Sequence, residues 1–273
     1  MKSILILFLF ISLIACKNDN KSNSEEIPSG QREDTIKKPQ RPIALENDKF
    51  FEVDGRKMLY GGEKAVQHFD ITNNELKDEQ FHYGIGREHF PALLDPKFTT
   101  IKAVDSIWND DDRFILAYSG NDIKAYSVKD LTRHEVVNDV LNGEPIMAVY
   151  CILADLGAIY DRQYGDKELT FALSGYTYYD KDVWDGLDGF VLWDRETESL
   201  WWPLIDRAVS GDLKGVELLE KDKENWKDTT WKDIKENYPE AKVLISGQDF
   251  ERPENWQKID DVSDIIETFK ATN

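Results

Sequence analysis

Apolar and polar positions divide the chain into three regions of different texture. Residues 4 to 14 are apolar apart from Ser12, residues 17 to 44 hold scarcely an apolar side chain, and from residue 45 onward short apolar runs alternate with turn-forming clusters. Such runs are of strand length, and the clusters supply the glycine, asparagine, aspartate and serine that tight turns use. In "RFILAYSGNDIKAYSV" two runs flank Ser119-Gly120-Asn121-Asp122, which predicts a hairpin. "PIMAVYC" is continuous enough for a buried strand. "LGAIYDR" and "LTFALSG" flank a turn around Gly165, and "GFVLWDRETESLWW" bends at Arg195-Glu196-Thr197. Tyr160-Asp161-Arg162 and Trp193-Asp194-Arg195 open these turns alike, each placing an aspartate where it can hydrogen-bond the following backbone.

Three segments predict helices instead. The first runs from Val128 to about Leu141, with Ser127 and Asp130 at capping-box spacing and Gly143 just past the end. The second follows Thr230, where Asp233 repeats that spacing, and stops at Pro239. The last carries Val262, Ile265, Ile266 and Phe269 on one stripe. Many strands and few helices predict an α+β fold, mainly antiparallel β hairpins with a few helices packed against them. No long period recurs, which argues against a solenoid or propeller.

The first of these helices holds the densest chemistry. At about 100° per residue, Val136, Val137, Val140 and Leu141 cover one side, while His134, Glu135, Asn138 and Asp139 share an adjoining arc of roughly 140°. In one reading His134 is a base or metal ligand, oriented by Glu135 or Asp139. In the other it is a partly buried residue bonded to a loop, and Asn138 and Asp139 satisfy backbone groups. The zinc pattern "HExxH" is absent. Cys151 ends the strand that returns from this helix, and a thiol near an imidazolium would have a lowered pKa.

The N-terminal region changes the picture of location. "MKSILILFLFISLIAC" is too short to span a membrane and reads as a signal peptide over residues 1 to 15. Leu13-Ile14-Ala15-Cys16 resembles a bacterial lipobox, which makes Cys16 the expected lipidation site and the membrane a partner through its acyl chains. Residues 16 to 44 are then a flexible tether, too polar to bury a core, and residues 45 to 273 a single α+β domain. Lys17 stands where an aspartate would signal retention, which points to the outer membrane. After cleavage Cys151 is the one cysteine besides the lipidated Cys16, so no internal disulfide is expected.

Charge and the remaining motifs mostly exclude. A formal net charge of -19 repels polyphosphate and argues against nucleic acid as a partner. No "GxSxG" elbow, P-loop or dinucleotide fingerprint occurs. Seven of the eight tryptophans follow residue 180, including adjacent Trp201 and Trp202; exposed rings would stack on glycans, whereas buried ones would fill the core beneath the hairpins.

"HFPALLDPKF", "ILAYSGNDIKAYSV", "HEVVND", "VYCILADLGAIYDR", "ALSG", "LWDRETESLWW", "AVSGDLKGVEL" and "TTWKDIKENYPEAKVL" follow one another in the order of a bacterial and archaeal family, domain of unknown function 3179. The chain resembles that family from about Gly84 to Leu244. The family's activity is not established. The resemblance implies a secreted or membrane-associated protein whose recurring polar features are the His134-Glu135 pair, the cysteine motif and the Asp194-Arg195 turn. The family's cysteine block reads Cys-Pro-Leu-Cys, which hints at redox or metal chemistry. Here Cys151 matches its first cysteine, Ile152 replaces the proline and Ala154 stands at the second cysteine.

Two functions are therefore expected. One is thiol- or metal-dependent redox activity with Cys151 as nucleophile, His134 and Glu135 tuning it, and a metal ion on His134 and Cys151 as the possible cofactor. A dithiol cycle lacks its resolving thiol here. The other is a binding module without catalysis, for a glycan or a protein partner.

Overall fold

The computed structural model describes residues 49–248, 258–259 and 261–272. The readings of a signal peptide, a lipidated Cys16 and a tether fall outside those residues. The described residues belong to one compact unit by their contacts. Among the described residues no helix is long and apolar enough to cross a membrane.

The predicted hairpins are present, and they assemble an α+β fold of mostly antiparallel strands. β1 (Phe50–Val53), β2 (Arg56–Leu59) and β3 (Phe69–Asp70) form a small sheet, followed by β4 (Phe81–Tyr83), β5 (Phe98–Thr100) and the single turn α1 (Ile101–Val104). Next come the hairpin β6 (Arg113–Ser119) and β7 (Asp122–Ser127), α2 (Val128–His134), and the three-stranded meander β8 (Val136–Leu141), β9 (Glu144–Cys151) and β10 (Leu156–Asp161). A miniature hairpin around Gly165, β11 (Gln163–Tyr164) and β12 (Lys167–Glu168), precedes β13 (Phe171–Tyr178), β14 (Gly189–Asp194), β15 (Leu200–Trp202) and β16 (Arg207–Ser210). The chain ends in β17 (Trp226–Thr230), α3 (Trp231–Asn237), β18 (Lys242–Leu244) and α4 (Ser263–Thr272).

Two five-stranded sheets dominate. One has the order β16-β15-β14-β13-β4, and the other β17-β6-β7-β18-β5, in which only the β18–β7 pair is parallel. The main core gathers side chains from the first large sheet and the β8–β10 meander, including Val136, Ile146, Phe171 and Trp201, all fully buried. A second cluster under α3 packs Trp108, Phe114 and Trp231 together, with the Phe114 and Trp231 rings stacked at 5.2 Å. Thr230 caps α3 by accepting from the Asp233 N–H at 3.4 Å, as its spacing predicted.

The first predicted helix is half right. Ser127 accepts from the Asp130 N–H at 3.0 Å and starts α2, but the helix stops at His134 because Glu135 takes a left-handed conformation with φ of 56°. Val136 to Leu141 then run as β8. Three β-branched valines in six residues favour a pleated, half-buried surface over a helix. Asn142-Gly143, with φ of 50° and 87°, is the two-residue hairpin signal that joins β8 to β9. Gly143 therefore ends no helix, and the shared helical face of His134, Glu135, Asn138 and Asp139 does not exist.

The segment 84–93 crosses the first large sheet and reaches the meander. Gly84 and Ile85 both donate to Gly175 O, Glu88 N–H donates to Leu173 O, and Leu93 N–H donates to Val136 O. Gly175 permits this approach: it has φ of +84° inside a β-bulge, and a Cβ there would lie 2.1 Å from the Gly86 backbone. Gly175→Ala is expected to cost on the order of 3 kcal/mol or more, through strain and the displaced crossing. Urea denaturation of wild type and variant measures it; an unchanged midpoint would show the crossing is not rigid.

Candidate functional site

The ladder between β8 and β9 pairs Val136 with Val149, and one step further the Tyr150 N–H donates to Glu135 O at 3.0 Å. That register brings the end of α2 against the end of β9, where Cys151 lies. Glu135 and Cys151 are thus brought close, by an antiparallel ladder and not by a helix face, with His134 preceding Glu135 at the end of α2.

Each of the three is buried. Cys151 is 1% exposed, His134 6% and Glu135 9%. His134 Nδ1 lies 2.9 Å from Pro91 O, so this nitrogen carries the proton and the ring is tied to the crossing segment. Burial pushes the Cys151 thiol up to about 11, and the nearby Glu135 charge pushes the same way. Backbone N–H groups of Ala154, Phe190 and Leu153 face the sulfur and favour the thiolate, without outweighing desolvation. The shift runs opposite to the lowering that a neighbouring imidazolium would give, and it favours a sheltered, protonated thiol.

Glu135 is the unusual member. Burial alone lifts its carboxyl to about 7, and no hydrogen bond or ion pair to its oxygens occurs among the described residues. A desolvated carboxyl without partners is costly, and here it is also held in a left-handed backbone conformation. The described residues contain no group of three or more His, Cys, Asp or Glu side chains able to hold a metal ion.

Asn138 and Asp139 go elsewhere, since neighbours on a strand point to opposite faces. Asn138 exchanges two hydrogen bonds with the Phe171 backbone, at 2.8 and 2.9 Å, and so welds β8 to β13. Asp139 accepts from Lys124 Nζ at 2.8 Å and from the Tyr126 hydroxyl at 2.7 Å. Both roles are architectural.

Asp194 and Arg195 build a second, rigid corner. Asp194 accepts from Thr197 N–H at 2.7 Å, Thr197 Oγ1 at 2.8 Å and Trp201 Nε1 at 2.8 Å, yet full burial still raises its carboxyl to about 7. Arg195 forks onto both oxygens of Glu88 at 2.8 Å. Beside it Arg87 bonds Glu198 at 2.9 Å and lies 3.5 Å over the Trp193 ring. The resemblance between the Asp161-Arg162 and Asp194-Arg195 turns stops at sequence: the Arg162 guanidinium donates to the carbonyls of Ile146, Leu169 and Asp139. Glu88, Arg87, Pro91 and Phe190 were not legible as site residues, because each acts through a contact distant in sequence.

This second corner borders open space. A cavity of about 460 Å³ is lined by Asp70, Asn73, Glu196, Thr197, Glu198, Asp212 and Lys258, among others. A second of about 570 Å³ shares Glu196, Lys258 and Ile259 with it. Neither is lined by His134, Glu135 or Cys151. Trp201 and Trp202 do not face solvent either; at 0% and 1% exposure they fill the core of the sheet.

A family model described as Protein of unknown function (DUF3179) matches residues 87–262, more than half of the chain. The chain belongs to this family. No curated protein and no solved structure matches it. Glu135 and Cys151 meet at the end of β9, and the turn that follows Asp194-Arg195 lines the larger cavities with Glu196, Thr197 and Glu198.

Glu135 gives a signed pH dependence. Its carboxyl lies at 4.5 ordinarily and about 7 in the folded chain, so between those values the native state holds a proton that the unfolded chain has released. Stability from this group is complete below about pH 4.5 and is lost as pH rises through about 7; Asp194 acts in the same direction. Glu135→Gln, which stays neutral, is expected to remove on the order of 2 kcal/mol of the stability loss between pH 5 and pH 8. Denaturant unfolding at both pH values reads this, and equal slopes for wild type and variant would contradict the burial of Glu135.

Proposed function

We propose that this chain is an extracytoplasmic lipoprotein, anchored through acyl chains on Cys16, whose folded domain binds a protein partner and performs no thiol redox chemistry. The state of Cys151 carries this reading. The sulfur is 1% exposed and its pKa is pushed up to about 11, while Ala154 occupies the second cysteine position of the family motif. At neutral pH about one thiol in ten thousand would be ionised, and no resolving thiol is present.

Binding is supported by the family's own turn. Asp194 and the Arg195–Glu88 fork hold Glu196, Thr197 and Glu198 rigidly along a cavity of about 460 Å³. Rigid polar groups around a concave surface suit recognition. Asp70, Glu196, Glu198 and Asp212 outnumber Lys258 there, so the complementary partner presents lysine or arginine side chains. The glycan version based on Trp201 and Trp202 loses its motivation, since both are buried.

A second reading keeps one observation in its favour. The partnerless Glu135 carboxyl beside the sulfur would serve a single-thiol reaction as proton acceptor.

Thiol titration separates the two. Native protein at pH 7.5 is expected to leave Cys151 unmodified by an aromatic disulfide reagent until denaturant is added, and a Cys16→Ser variant is expected to leave the membrane fraction. Rapid native modification of Cys151 would favour the thiol reaction, and a membrane-bound Cys16→Ser protein would remove the anchor.

The groove is tested with a lysine-rich oligopeptide by calorimetry. Binding is expected to weaken about tenfold between 50 and about 300 mM salt, and severalfold in Asp212→Lys. Heat of binding that is absent, or indifferent to both changes, would reject the groove.

A further inference from the structure

The hairpin β11–β12 stands between the acidic cavities and α4. Asp166, Lys167 and Glu168 line the cavity of about 570 Å³ that shares Glu196, Lys258 and Ile259 with the turn groove. The other half of the hairpin, Gln163 to Gly165, lines a third, partly enclosed cavity of about 290 Å³, whose walls also include Leu219 and, from α4, Ile265, Thr268 and Phe269. α4 lies close against the hairpin: a Cβ on Gly165 would come 3.8 Å from Thr268 Oγ1, and the charges of Asp261 and Asp264 reach Lys167. The first two cavities share walls, and Gly165 and Asp166, consecutive at the hairpin turn, border the second and the third.

The third cavity differs in chemistry. The Tyr164 hydroxyl donates to Glu217 O at 3.1 Å, Gln163 Nε2 to Gly165 O at 2.8 Å and Thr268 Oγ1 to Asp264 O at 2.7 Å. The donors of its walls are thus engaged within the protein, and Tyr164, Leu219, Ile265 and Phe269 present apolar surface. An occupant is held there by burying carbon. Around all three cavities the bases are matched, Lys167 by Asp166 at 3.0 Å and Lys258 by Glu198 at 2.5 Å. Asp212, Asp261 and Glu217 on the walls make no ion pair among the described residues, so the field over the cavities is negative. That field draws a basic segment to an apolar seat.

We propose that the partner of the acidic groove is a basic segment carrying one large apolar side chain, and that this side chain seats in the cavity between the β11–β12 hairpin and α4. The proposal rests on the basic-partner reading of the groove and adds its anchor. Charge by itself attracts any lysine-rich chain and is screened by salt. A buried anchor separates one basic segment from another.

The experiment titrates the full chain by calorimetry with a dodecapeptide of alternating lysine and alanine. A companion set replaces one alanine at a time by phenylalanine, which keeps the charge constant. At least one phenylalanine peptide is expected to bind about tenfold tighter than the parent and to shift the Ile265 methyl resonance. Thr268 is exposed, so Thr268→Trp fills the cavity from the surface without disturbing the core; it is expected to abolish the gain and to leave the parent's affinity unchanged. Equal affinity across the set, with the parent bound, overturns the anchor and leaves the groove. A gain that Thr268→Trp retains overturns it as well, because the side chain then lies elsewhere. A parent that gives no heat rejects the groove; the phenylalanine peptides and the Ile265 resonance then decide the cavity by themselves, a shift lost in Thr268→Trp keeping it and silence overturning it.

Discussion

Strand β9 is covered on both faces along Ile146 to Cys151, and the chemistry available to the domain follows from that constraint. A strand sandwiched between its neighbours and the first large sheet excludes water from its end as well as its middle. The one thiol among the described residues sits at that end, among backbone amides and beside a carboxyl that has lost its hydration. Desolvation then raises both acids, the thiol to about 11 and Glu135 to about 7, so the local charge at neutral pH is small. The same burial that stabilises the meander shields the thiol and favours its protonated form.

Paired charges hold the elements around this core. Arg195 with Glu88, Lys124 with Asp139, and Arg87 with Glu198 each join segments distant in sequence or cross between strands, and the basic partner is buried in all three. Such pairs add little net free energy over an apolar contact of the same shape, because desolvation offsets their attraction. Their geometric demand is stricter, and a forked guanidinium on a carboxylate admits one arrangement. The crossing segment 84–93 and the Asp194 turn are therefore fixed in place, and the polar rim of the turn cavities is presented on a rigid support.

Membership of the family and departure from its cysteine motif fit one physical account. The ladder, the left-handed Glu135 and the amide-lined sulfur are still built, although Ala154 removes the second thiol. A fold maintained by its core and its charge pairs does not depend on that thiol. Binding at the surface then becomes the economical reading, and the partnerless Glu135 carboxyl marks where the interior departs from what packing alone would select.

Local signals were sufficient wherever neighbours in sequence decide the outcome. The hairpin at Gly120, the caps at Ser127 and Thr230, the bend after Arg195 and the α+β class all follow from turn chemistry and short apolar runs. Local reasoning failed at Glu135, where the capping pattern of α2 and the apolar spacing of Val136 to Leu141 merged into one apparent helix. Valine spacing of that kind satisfies a helix face as well as a doubly buried strand, and pairing with β9 resolved it. That pairing also brought Glu135 and Cys151 together for a reason unrelated to the helix. The chain by itself determined where the main hairpins turn, the α+β class and that one thiol remains in the folded part. Only the tertiary structure decided that the thiol is shielded, that Asn138 and Asp139 are architectural and that Trp201 and Trp202 are core, because burial and long-range hydrogen bonds depend on segments that meet only after folding.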